Sequence, residues 1–246
     1  MITILQGSNL DIRVLELRNY LLKPNIAEKF SDYFATHFVQ PMAVLGGYTL
    51  GQFKIKGVHD RFIWMRGFTD MTTRLKFLND FYVNSQVWKE FGPGANDMMI
   101  NSDNVYLLKP LFDDKNPGDD DRDFNGNIIT NKKGVIVVDF YICNGTLEKA
   151  TNLMTSAYIT FIKTLDIHNI SFWISEMQEN KFPGLPAFQD KNLLLTITSF
   201  KDEIEYQIKQ EQMADSMINV PNFSSLKNSM LELITTQSQL VLYPAG

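Results

Sequence analysis

Cysteine, histidine and long apolar runs are scarce in this chain. Its 246 residues include a single cysteine, Cys143. No disulfide can form within the chain, and a reducing, cytoplasmic setting is the expectation. No apolar run approaches the roughly 20 residues that a membrane helix needs. The opening Met1-Ile2-Thr3-Ile4-Leu5-Gln6-Gly7 has neither the basic start nor the long apolar stretch of a signal peptide. The three histidines, His37, His59 and His168, show no zinc-ligand spacing with cysteine or glutamate. His37 falls on an apolar helix face as a core histidine, and His59 sits in solvent beside a hairpin turn. His168 follows a helix near Asp166, where a cation suits the helix dipole. A Gly-rich phosphate loop, a GxSxG elbow and a Ser/His/Asp arrangement are all missing, so no motif names a catalytic residue or a cofactor. Acidic residues outnumber basic ones, 28 to 23, with the excess in the second half. Without a basic stripe, nucleic acid and anionic membrane are poor partners.

Apolar and aromatic residues are ample, at 44% and 12%, and the length suffices for a sizeable core. Residues 12–22 alternate as a strand: Leu15, Leu17 and Leu21 on one face, Glu16, Arg18 and Tyr20 on the other. After the Lys23-Pro24-Asn25 turn, Ile26, Phe30, Tyr33, Phe34 and His37 mark a helix that Pro41 ends or kinks. Tyr48 to Ile55 and Arg61 to Phe68 are strands joined at Lys56-Gly57. Thr69-Asp70 starts a helix with Met71, Leu75, Leu78 and Tyr82 at helical spacing. A short helix is expected around Gly92-Pro93-Gly94, and residues 104–111 form a fourth strand. The order β-α-β-β-α-β is the split-βαβ, or ferredoxin-like, pattern.

Residues 113–133 are polar and acidic, with the composition of a linker. Within them Asp121, Asp123, Asn125, Gly126 and Ile128 match the opening of a calcium loop. Lys132 stands where the bidentate glutamate belongs, so a solvated linker is the expected reading. The pattern then repeats. Strands are read at Val135–Ile142, Ile170–Met177, Leu193–Phe200 and Gln239–Tyr243. Helices follow Thr146 and Lys201, and another spans Phe223–Ile234. Phe200 precedes Asp202 as Phe68 precedes Asp70. Two copies of one unit are expected: residues 1–112, the linker, and residues 134–246.

Helices cover only one face of a ferredoxin-like sheet, and the other must also be buried. Two such units meeting face to face close an α+β barrel within one chain. The expectation is that Leu15, Leu17 and Leu21 face the helices. Glu16, Arg18 and Tyr20 then point into the barrel beside Trp64 and Arg66. In the second copy Asp139 and Tyr141 have the spacing of Glu16 and Arg18. Thr196 and Thr198 stand where Trp64 and Arg66 stood, so the first half is expected to supply more of the polar chemistry. One reading of this set is an ion-pair network that fixes strand register. The other is a carboxylate- or anion-binding pocket beside an aromatic wall. The apolar loop Phe182–Phe188 packs over a barrel end, or serves as a lid or a partner contact.

Leu15-Glu16-Leu17-Arg18-Asn19-Tyr20-Leu21-Leu22-Lys23-Pro24 resembles the opening motif of NIPSNAP-domain proteins. Asp60-Arg61-Phe62-Ile63-Trp64-Met65-Arg66-Gly67-Phe68, with Asp70-Met71 and Arg74, is similar to the central motif of their bacterial members. Phe81-Tyr82, Val87-Trp88 and Ser102-Asp103-Asn104-Val105 continue the match, and Phe182-Pro183 with Leu185-Pro186 extends it to the second half. The resemblance implies a dimeric α+β barrel, here from tandem units, and carries over no agreed activity or catalytic residue. The expected function is a small-molecule-binding or interaction protein that uses the barrel interior, with a homodimer through the barrel exteriors. The alternative is a cofactor-independent enzyme of oxygenase or isomerase type. A filled barrel would remove that alternative, and an open cavity of several hundred cubic ångströms would favour a ligand.

Overall fold

The alternation near the start of the chain becomes β1 (Val14–Leu22), and the stripe after the turn becomes α1 (Ala27–His37). Asn25 makes that turn with a left-handed backbone, φ 61°. Pro41 lies in the first turn of α2 (Val39–Val44), where its missing N–H has no helical partner to lose. β2 (Tyr48–Ile55) and β3 (Arg61–Phe68) form the expected hairpin. Asp70 caps α3 (Met71–Leu78), its carboxylate accepting from the Thr73 N–H at 2.6 Å. A π-helical segment, Asn79–Asn84, leads to α4 (Gln86–Met98), which is longer than expected and carries Pro93 inside it. A short β4 (Met99–Asn101) and then β5 (Val105–Pro110) complete this half.

The second half runs β6 (Val135–Cys143), α5 (Leu147–Leu153), a π-helical segment at Met154–Tyr158, α6 (Ile159–Thr164) and β7 (Ile170–Ser175). It continues with β8 (Leu193–Phe200), α7 (Glu203–Asn219), α8 (Pro221–Leu233) and β9 (Ile234–Pro244), the last longer than the expected strand. This computed structural model describes residues 11–112, 134–144, 146–219 and 221–245. The acidic tract 113–133, with the candidate calcium positions Asp121, Asp123 and Asn125, lies outside the described residues.

Strands β5-β1-β3-β2 and strands β9-β6-β8-β7 each have the ferredoxin-like order, and every pairing is antiparallel. β2 pairs with β9 and β5 with β7, so eight strands close into a barrel, with β4 attached to the end of β1. The register aligns the halves residue by residue. Val14 opposes Phe68, Glu16 opposes Arg66 and Arg18 opposes Trp64. Val135 opposes Phe200, Val137 opposes Thr198 and Asp139 opposes Thr196. Asp139 therefore corresponds to Arg18 and Tyr141 to Tyr20, two positions from the expected equivalence. Thr196 and Thr198 do stand at the places of Trp64 and Arg66.

The faces are the reverse of the expectation. Leu15 and Leu17 point into the barrel with Phe53, Ile63, Met65 and Leu108, where they meet Val138, Phe140, Trp173, Leu195 and Ile197. Tyr20 and Trp64 instead join the core beneath α1–α4, with Phe30, Phe34, Phe62 and Phe77. Tyr141 likewise joins the core beneath the second set of helices, with Tyr158, Phe161 and Phe172. Physical chemistry favours this arrangement. A closed eight-stranded barrel has a narrow interior filled only by strand side chains, so a charge there would find few partners. The helix side can bring hydroxyls, amides and cations from distant segments.

Candidate functional site

Glu16, Arg18, Tyr20, Trp64 and Arg66 do come together, on the helix side of the sheet and fully buried. Adjacent antiparallel β1 and β3 place Glu16 opposite Arg66. One Glu16 oxygen accepts from Arg18 Nη1 and Arg66 Nε, each at 2.9 Å, and also from Arg66 Nη2. The other accepts from Arg74 Nε at 2.7 Å. Arg18 Nε donates to the Tyr20 hydroxyl at 2.8 Å, and Arg66 Nη1 to the Tyr82 hydroxyl at 3.1 Å. Burial by itself would raise the Glu16 carboxyl pKa, but Arg66, Arg18 and Arg74 outweigh burial and hold it well below the usual carboxylate range. Burial raises the Tyr20 phenol.

Arg74, Tyr82 and Asn180 complete this cluster and were not among the expected site residues. Arg74 lies one turn beyond the Asp70 cap, on the buried side of α3. Asn180 arrives from the β7–β8 loop, its carbonyl oxygen accepting from Arg74 Nη1 at 2.9 Å. That loop packs Phe182, Leu185 and Ala187 against the first-half core. It covers the helix side, while its Phe188 pairs with Tyr106 of β5, whose ring packs on Phe140 of the barrel core.

A cavity opens in the other half. A cavity of about 420 Å³ sits between β6, β8 and β9 and helices α6–α8. Asp139, Tyr141, Tyr158 and Thr198 line it, with apolar walls from Ile162, Phe200, Met213, Met217 and Met230. Lys227, Thr235 and Gln237 line its exposed side. The register explains the space: where the first half fills its helix side with Trp64 and Arg66, the second has Thr196 and Thr198. The half expected to be the poorer has room for a ligand.

The cavity's polar groups are held in place. Gln239 Nε2 donates to Asp139 Oδ1 at 2.7 Å, and the Thr196 hydroxyl donates to Oδ2 at 3.5 Å. Burial raises the Asp139 carboxyl above its ordinary value, with those two hydrogen bonds pulling the other way. Tyr141 and Tyr158 share a hydrogen bond, and burial pushes both phenols well up. Tyr158 was missed because the expected stripe placed Ala157 inward. Tyr158 stands one turn from both Met154 and Phe161 of that stripe, so it shares their buried face.

His37 is half-buried and stacks on Phe91, with ring centroids 3.9 Å apart. His59 is exposed, and His168 contacts Asp166 at the surface. Among the described residues no group of His, Cys, Asp or Glu has metal-ligand geometry, and no helix is long and apolar enough to cross a membrane.

No protein-family model matches the chain, and no curated protein matches it. Solved structures do. A candidate monooxygenase from Fusobacterium nucleatum is 8% identical with a TM-score of 0.62, covering 96% of this chain and 94% of its own. A candidate monooxygenase from Lactobacillus acidophilus is 9% identical with a TM-score of 0.60, covering 96% and 95%. A NIPSNAP family protein from Agrobacterium tumefaciens is 19% identical over 43% of this chain and 98% of its own, with a TM-score of 0.36. The two similarities that span the whole chain are of fold, an α+β barrel of eight antiparallel strands.

Proposed function

We propose that the protein binds a small, largely apolar organic molecule in the second-half cavity, with Asp139, Tyr141 and Tyr158 meeting its polar end. The cavity itself carries this reading. Its volume of about 420 Å³ falls in the range of small-molecule sites, which pair apolar walls with a few convergent polar groups. Methionines on the wall suit ligands of irregular shape, because the side chain is flexible and polarisable. The barrel interior holds an apolar core from both halves, and the cavity lies outside it.

Native mass spectrometry of the protein purified gently from its own host is the test. A retained extra mass is expected, and Thr198→Phe, which narrows the cavity, should fold and lose it. The reading fails if the parent emerges bare and its uptake of a lipophilic fluorescent probe is unchanged by Thr198→Phe. The same spectrum reports whether the chain forms the expected homodimer.

Asp139 favours a second reading, a cofactor-independent enzyme. A carboxylate of raised basicity beside a bound organic molecule is suited to take a proton from an acidic carbon. Reprotonation of that carbanion at another carbon is isomerisation, and its capture by O2 with transfer of an electron pair gives a peroxide, the first step of oxygenation. Candidate monooxygenases share the fold, which is an analogy of architecture. In D2O the parent should exchange deuterium into the retained ligand, and Asp139→Asn should keep the ligand and lose the exchange. A parent that holds its ligand without exchanging it removes this reading and leaves a binder.

A further inference from the structure

The first half encloses three guanidinium groups with one carboxylate. Among the described residues Glu16 is the only ion-pair partner of Arg18, Arg66 and Arg74, and all four are at most 1% exposed. The cluster is therefore two charges positive and shielded from bulk solvent. Buried charge left uncompensated is costly. Aromatic faces ease that cost, since Arg66 Cζ lies 4.8 Å from the Phe77 ring centroid and 5.0 Å from that of Trp64. Such rings attract cations but carry no net negative charge.

Two hydrogen-bond donors in the same cluster are unused. Arg74 Nη2 and Trp64 Nε1 are buried and have no partner. Orphaned buried donors are uncommon, and each one asks for an acceptor. Nearly every other donor of Arg74 is engaged: Nε holds Glu16 and Nη1 holds Asn180. What the cluster has in surplus is positive charge and N–H donors, and a small oxyanion supplies the complement of both.

We propose that Arg18, Arg66, Arg74 and the Trp64 indole N–H form a site for a small oxyanion, a carboxylate or a phosphate. The site is distinct from the second-half cavity and does not depend on it. Arg74 Nη2 and Trp64 Nε1 donate to the anion, and the net positive charge of the three guanidiniums attracts it. Entry is under the β7–β8 loop, which contributes the Asn180 carbonyl to Arg74 and sets the Phe182 ring 6.3 Å from that of Tyr82. Asn180 also donates to the Leu185 carbonyl at 2.8 Å, so its side chain ties the loop's own bend to Arg74. A hairpin loop of one half thus covers a binding site in the other.

Thermal unfolding of the full chain tests this, with chloride replaced by acetate, phosphate or sulfate at constant ionic strength. Expected is a saturable rise in Tm of about 5–10 °C at a hundredfold excess over Kd. A response to acetate alone assigns a carboxylate, and one to phosphate and sulfate assigns a tetrahedral oxyanion. Trp64→Phe keeps an aromatic ring and removes the indole N–H, and Arg74→Gln removes the charge. Each should shift the titration midpoint at least tenfold. No rise beyond that of chloride in the parent overturns the proposal, and so does an unchanged midpoint in Trp64→Phe. Arg74→Gln disturbs the Glu16 pairs, so if it fails to fold, Trp64→Phe decides.

Discussion

Glu16 and Asp139 are both carboxylates buried on the helix side of one sheet, and their surroundings push them in opposite directions. Three guanidiniums hold the Glu16 pKa down against burial, while burial raises that of Asp139. The signs give opposite stability profiles. With its folded value depressed, Glu16 contributes stability above the ordinary carboxylate range, and that contribution is lost as pH falls toward the folded value. Glu16→Gln leaves three buried cations uncompensated and should cost about 3–5 kcal/mol at neutral pH, read by urea denaturation. With its folded value raised, Asp139 costs stability as pH rises past the unfolded value of about 3.9. Asp139→Asn should therefore raise Tm at pH 7, with the gain vanishing at a pH below that value. A Tm gain independent of pH would contradict the burial argument. Proximity of Glu16, Arg18, Tyr20, Trp64 and Arg66 was legible from strand alternation, because period two places them on one face. Arg74 and Asn180 were not, since their sequence distance from Glu16 carries no periodic signal.

At the scale of elements, most strands and caps follow from local sequence. Asp70 and Ser85 cap α3 and α4 through backbone N–H groups, as their side-chain oxygens dictate. The turn before β2 needs glycine twice. Gly46 has φ 85°, and a Cβ on Gly47 would collide with the Phe77 ring. Phe77 is fully buried and lies within cation–π reach of Arg66, so it has little room to yield. Gly47→Ala should cost about 1–3 kcal/mol through this overpacking, measured as a lower denaturant midpoint with an unchanged slope. The two π-helical segments had no sequence signal. Apolar spacing reads the same on either side of an inserted residue.

For the whole molecule, closure is the deciding feature. β2–β9 and β5–β7 join the halves, and the barrel interior takes Leu15, Leu17 and Met65 from one and Val138, Leu195 and Ile197 from the other. Residues 1–112 alone would expose that apolar sheet face and two strand edges. They should form a dimer or larger species by light scattering; a monodisperse, protease-resistant monomer would contradict a shared core. The order and periodicity of elements, and hence two ferredoxin-like sets of strands, were determined by the sequence itself, because hydrogen-bond ladders and side-chain alternation are local. Which face of each strand turns inward, and that the second half keeps a cavity, only the tertiary structure decided. Those outcomes depend on what distant helices and loops bring to each face. Alternation alone shows that Glu16 and Leu17 point apart. It takes Arg74, Tyr82 and Asn180 to make the helix side the place where a charge is satisfied, and Thr196 and Thr198 beneath α7 and α8 to leave the cavity open.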